Sequence, residues 1–140
     1  MLAVSPNVLA RRVHSLVQRG NVKLAITSQG EGLASSVDPR FGRAKAFVLV
    51  EPETGTVKTV DNAVNLNAMQ GAGIQAAKQI VEMGAKALIT GHVGPKAFAT
   101  LQAGGVKIYP VDGGTVAEVL EQFKAGTLKA ATGADVEGHW

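Results

Sequence analysis

AKALITGHVGPKAF, residues 85–98, is the stretch on which the reading of this chain turns. Its apolar run Ala87-Leu88-Ile89 reads as a short buried strand. The chain then turns at Gly91-His92-Val93-Gly94 and resumes as a helix, with Pro95 in the first turn where a missing N–H costs nothing. Glycines at 91 and 94 make the turn tight and let a ligand approach the backbone. The N–H groups of Lys96 and Ala97 point out of the helix start, which makes a natural seat for an anion. His92 and Lys96 flank that seat, one as a metal or sulfide partner and the other as a cation. A plain strand-to-helix turn has the same local signature, so the rest of the chain must decide.

Upstream, Val22–Thr27 alternates as a first strand, and Ser28–Ala44 is a long Gly-, Ser- and Asp-containing connection. Connections this long inside a compact domain are often functional. Lys45–Glu51 and Thr56–Asp61 read as two strands joined at Pro52–Gly55, a hairpin. A polar stretch from Asn62 to Gln70 leads into a helix over Gly71–Met83, with Ile74, Ala77 and Val81 expected on its inner face. Downstream of the opening stretch, Pro95–Ala103 is a helix with Ala97, Phe98 and Leu101 inward, and Val106–Tyr109 is a last strand. Thr115 and Glu118 fit a capping box. Val116, Val119, Leu120 and Phe123 then mark a helix face that closes at Gly126. The order β-β-β-α-β-α-β-α predicts an α/β fold with one five-stranded mixed sheet. Strand order 3-2-1-4-5 satisfies it, with the second strand antiparallel and helices on both faces, the order of ribonuclease-H-like folds. The loops that follow strands one, three, four and five then share one edge, where ligands of open α/β sheets sit.

The composition, 46% apolar with 4% aromatic, supplies a core of Val, Ile, Leu and Ala. No run is long enough to span a membrane. The chain has no cysteine, which removes disulfides, thiolate ligands and any Cys nucleophile, and agrees with a cytoplasmic location. The net charge of +3 is misleading until it is located. Arg11, Arg12 and Arg19 fall in the first twenty residues, which hold no acid; taking these three from fourteen basic groups leaves eleven against eleven acids in the body. A nucleic-acid-binding face is therefore not indicated. Residues 1–21 read as an extension outside the core domain, which spans 22–128, and residues 129–140 as a loose tail. Deleting residues 1–20 is expected to leave the melting temperature nearly unchanged; a large fall on calorimetry would mean that Leu9, Val13 or Leu16 packs into the domain.

Two further motifs carry chemistry. VDPRFGRA, residues 37–44, offers the guanidiniums of Arg40 and Arg43, whose planar forks suit oxyanions and other diffuse anions. Asp38 beside them reads equally well as a structural ion-pair partner. QGAGIQAA, residues 70–77, matches G-x-G-x-x-A, but a polar loop precedes Gly71 and no acid for a ribose follows at the proper distance, so a dinucleotide fingerprint fails on context. Gln70, Gly71 and Gly73 read instead as a close backbone approach at a helix start, with Met69 as a soft thioether neighbour. A two-metal nuclease needs clustered carboxylates. Asp38, Asp61 and Asp112 lie on separate loops, and the first strand carries none.

Taken together, VDPRFGRAKAFVLVE, QGAGIQAA, GAKALITGHVGPKAF and GGTVAEVLEQFKAG resemble the NifX-like nitrogenase iron-molybdenum cofactor accessory family over residues 22–128. VDPRFGRA, QGAGIQAA and GHVGPKAF look like its orange-protein branch. The resemblance implies a ribonuclease-H-like fold. It also implies non-enzymatic binding or carriage of an anionic metal–sulfur cluster, either a molybdenum–copper sulfide cluster or an iron–molybdenum or iron–sulfur cluster precursor. Such a cluster would be seated by Arg40, Arg43, Lys96 and glycine N–H groups, with His92 as the candidate metal ligand, and exchanged with a cluster-donor or acceptor protein. The absence of Cys speaks against a thiolate-bound iron–sulfur cluster and leaves His92, Met69 and electrostatic capture. A small-molecule or nucleotide-phosphate binder would use the same glycine turns.

Overall fold

The computed structural model describes residues 23–51, 54–62 and 72–131. Residues 1–22, which include the expected extension, therefore lie outside the described residues. The elements are β1 (Leu24–Ser28), β2 (Ala46–Glu51), β3 (Thr56–Asp61), α1 (Ala72–Glu82), β4 (Ala87–Thr90), α2 (Pro95–Ala103), β5 (Lys107–Pro110) and α3 (Val116–Ala125). The sheet order is β3-β2-β1-β4-β5, as the sequence predicts. β2 runs antiparallel to both neighbours, while β1, β4 and β5 are parallel.

Burial explains why the strands read as they do. β1 and β4, central in the sheet, are buried along their whole length. Both faces need apolar side chains, so these strands appear as continuous apolar runs. Leu24, Ile26, Val48, Val50, Ala87 and Ile89 face one layer with α3; Ala25, Phe47, Leu88 and Ile108 face the other with α1 and α2. β3, at the edge, has no fully buried position. Its polar alternation is that of an exposed strand.

The helix ends follow their signals. Thr115 accepts from Glu118 N (3.1 Å) and the Glu118 carboxylate accepts from Thr115 N (2.8 Å), completing the expected capping box. Val116, Val119, Leu120 and Phe123 are all buried, and Phe123 meets Tyr109 edge-on at 5.3 Å. α1 differs from expectation. Its buried stripe is Ala72, Ala76, Ala77 and Ile80, while Ile74 and Val81 are only partly buried. Small alanines face the layer where α1 lies against the sheet and α2, and Val81 packs instead over Gly104 at the end of α2.

The first residues of the tail also differ from the loose segment expected. Just after Leu128, the last residue of the expected domain, Ala131 of the tail packs against the α1–α2 layer. Ala131 N donates to Ile108 O at 2.7 Å, so the chain wraps the outer edge of β5. Among the described residues no helix is long and apolar enough to cross a membrane.

Candidate functional site

The connection from β1 to β2 is held by main-chain bonds to distant parts of the chain. Val37 N donates to Gly114 O, Val116 N to Ser35 O and Ala117 N to Leu33 O, each at 2.9 Å. The connection is thereby fastened to the start of α3. It then passes beside the turn after β4. His92 N donates to Pro39 O (2.7 Å) and Phe41 N to His92 O (3.2 Å), so Arg40 and His92 form a short parallel bridge.

Inside VDPRFGRA the side chains divide by environment. Phe41 is 1% exposed and lies 6.1 Å from the Phe47 ring in the α1–α2 layer; Ala44 is also buried. Burying a phenylalanine contributes roughly 1.5–3 kcal/mol, enough to anchor the loop. Arg43 N donates to Arg40 O at 3.3 Å, closing a turn over residues 40–43. Both arginines are exposed, on either side of the buried Phe41. Arg43 has no ion-pair partner among the described residues. Arg40 Nε lies 4.0 Å from Asp38 Oδ1, so Asp38 pairs with one of the two arginines and leaves the other.

Gly91 serves a purpose other than the ligand approach expected of it. A Cβ on Gly91 would stand 2.5 Å from Pro39 O and 2.6 Å from Pro39 Cα. A Cβ on Gly42 would stand 2.7 Å from Gly73 Cα and 2.8 Å from Gly73 N. At Gly91 the space a ligand was expected to enter is filled by main chain. Gly91 and Gly42 are small so that the arginine loop can lie directly on the β4–α2 turn and on the first turn of α1.

Beneath the loop is a buried polar base. The hydroxyls of Thr27 and Thr90, both fully buried, are 2.8 Å apart, and Thr27 Oγ1 donates to Asp38 O at 2.7 Å. Asn62 Nδ2 donates to Ala44 O (2.7 Å) from the far side. No side chain caps the start of α2, where Gly94 is the N-cap and Pro95 supplies no N–H. Among the described residues the donors left open there are Lys96 N and Ala97 N.

Of the residues expected to form the site, Arg40, Arg43, Gly73, Gly91, His92, Gly94 and Lys96 come to one edge of the sheet. Met69, Gln70 and Gly71 lie outside the described residues. The threonine pair went unread in the sequence, although it carries a signal. LAIT and ALIT both end in Ile-Thr, and Ile26 pairs with Ile89 in register, which sets the two hydroxyls side by side. Among the described residues no three His, Cys, Asp or Glu side chains gather in a metal-holding group. Asp38, Asp61 and Asp112 therefore do not form the cluster of carboxylates that two-metal hydrolysis needs.

A family model described as dinitrogenase iron-molybdenum cofactor matches residues 22–126. An uncharacterized protein of Methanocaldococcus jannaschii is 33% identical over 95 residues, 66% of this chain and 80% of its own length. The apo form of the orange protein from Desulfovibrio gigas superposes with a TM-score of 0.79 at 43% identity, covering 81% of this chain and 96% of that one. A Thermotoga protein solved by NMR superposes with a TM-score of 0.73 at 38% identity, covering 84% and 99%.

Proposed function

Because the chain belongs to the dinitrogenase iron-molybdenum cofactor family, we propose that it binds and carries an anionic metal–sulfur cluster and catalyses no reaction. The observation that carries this reading is the turn of Arg40 and Arg43 fastened by main-chain bonds to His92, just before the open N–H groups of α2. Two guanidiniums, one ammonium and two backbone donors meet at one edge. Such groups neutralise a soft polyanion and donate hydrogen bonds to its sulfides without bonding to its metals.

The donor chemistry agrees. A chain without cysteine offers no thiolate, and among the described residues no ligand group is assembled. The cargo is then held by charge and hydrogen bonding, with His92 as hydrogen-bond donor or single metal ligand. A molybdenum–copper sulfide cluster, the type implied by the orange-protein resemblance, suits that seat, and so does an iron–molybdenum cofactor or its iron–sulfur precursor. An exposed, non-covalent seat also suits exchange with a cluster-donor or acceptor protein.

Reconstitution tests the reading. Apo protein mixed with tetrathiomolybdate and a copper source is expected to retain colour, molybdenum and acid-labile sulfide through gel filtration. His92→Ala is expected to shift the visible spectrum or lower retention. A protein that elutes colourless while taking up inorganic phosphate or a nucleotide would instead be a phosphate binder using the same turn.

A further inference from the structure

We propose that Asp38 is a positioning residue, which aims the guanidinium of Arg40 outward at the ligand; this rests on the reading of the seat given above. Asp38 is only 3% exposed, yet its one ion pair among the described residues is with a side chain that is 54% exposed. The carboxylate sits on a fixed base. Its own N–H donates to Thr27 O (2.9 Å), and its carbonyl accepts from Thr27 Oγ1 (2.7 Å), which is itself bonded to Thr90. Three strand-end groups thus fix the root of one carboxylate.

That carboxylate acts on Arg40 twice through the same oxygen. Oδ1 accepts from Arg40 N at 3.1 Å, which sets the turn, and lies 4.0 Å from Arg40 Nε. A separation of 4.0 Å orients by charge and is not a hydrogen bond. A guanidinium has five N–H groups, one on Nε and four on its terminal nitrogens. With Nε turned to Asp38, the terminal pair is the end left to meet an anion, and that pair makes the bidentate contact. The two arginines thereby take different parts. Arg40 is aimed, whereas Arg43 has no partner among the described residues to aim it. A carboxylate beside an anion seat would by itself repel the ligand. Here it is buried behind the guanidinium and offsets that repulsion by ordering the fork.

Two measurements on the full chain decide this. In the free protein, solvent exchange of the Arg40 Nε–H, followed by NMR on arginine-labelled protein, is expected to be slower than that of Arg43. Asp38→Asn keeps an oxygen to accept from Arg40 N but removes the charge. It is expected to bring Arg40 to the rate of Arg43. In the second measurement, Asp38→Asn is expected to weaken tetrathiomolybdate binding about two- to fivefold, the range of a partly exposed ion pair, and to have no effect when Arg40 is already alanine. Equal exchange rates of the two arginines in the wild type would overturn the proposal. So would an equal loss of affinity with and without Arg40, because a merely structural role acts through the whole seat. If the wild type fails to bind tetrathiomolybdate, cluster binding fails and the exchange comparison still decides the role of Asp38.

Discussion

Gly91→Ala is expected to destabilise the protein strongly and to disorganise the arginine loop together with it. The added methyl would stand 2.5 Å from the Pro39 carbonyl oxygen and 2.6 Å from Pro39 Cα, and both are main chain. A flexible side chain could swing aside from such a contact. Main chain held by the His92 N to Pro39 O bond cannot move without breaking that bond. Overpacking at a site that cannot yield costs about 1–3 kcal/mol, and the lost bridge places this substitution at the upper end. For a domain near one hundred residues that corresponds to a fall in melting temperature on the order of 10 °C. Gly30→Ala is the matched control, because its methyl would meet only Ser35 Cβ at an ordinary 3.6 Å. Calorimetry should show Gly30→Ala close to wild type and Gly91→Ala far below it. Equal melting temperatures would mean that the loop does not lie on the β4–α2 turn.

Arg40→Ala combined with Arg43→Ala is expected to weaken binding of a thiomolybdate–copper cluster about a hundredfold while the fold survives. Each charged hydrogen bond to a ligand contributes roughly 1.5–3 kcal/mol. Both side chains are exposed, so water and salt screen part of that gain, and the pair together is discounted to a little under 3 kcal/mol. Neither guanidinium fills the core, and the loop remains anchored by Phe41 and by its main-chain bonds. Far-ultraviolet circular dichroism should therefore be unchanged, with the loss confined to a titration followed by cluster absorbance. Replacing both by lysine keeps the charge and removes the fork, so its affinity should fall between the two. Wild-type affinity and stoichiometry in the alanine pair would show that the cargo sits elsewhere.

The architecture was legible because its signals are local. Strand runs, the capping box of Thr115 and Glu118, and Pro95 after the glycine turn each act within a few residues, and the hairpin restricts the sheet order. The candidate site was only half legible. Arg40, Arg43, His92 and Lys96 announce themselves by side-chain chemistry. What brings them together is main chain meeting main chain, as at Gly91 with Pro39 and Gly42 with Gly73. A glycine reports that room is needed and not what occupies it, so a ligand was assigned space that the chain fills. The same limit explains α1. Its alanines carry a weak hydrophobic signal, and Ile74 and Val81 outweighed them, although close packing against the sheet favours the smaller side chain.

The fastening of the β1–β2 connection to the start of α3 sets an order in time. Leu33, Ser35 and Val37 bond to residues 114–117, 77 to 84 positions further along the chain. Contacts of such long sequence separation close late, because the entropy of bringing the ends together precedes any reward. A chain emerging from the ribosome has Arg40 and Arg43 before it has residues 114–117, the segment that fastens their loop. The arginine loop is therefore fastened late in folding, and on the function proposed above loading would follow folding.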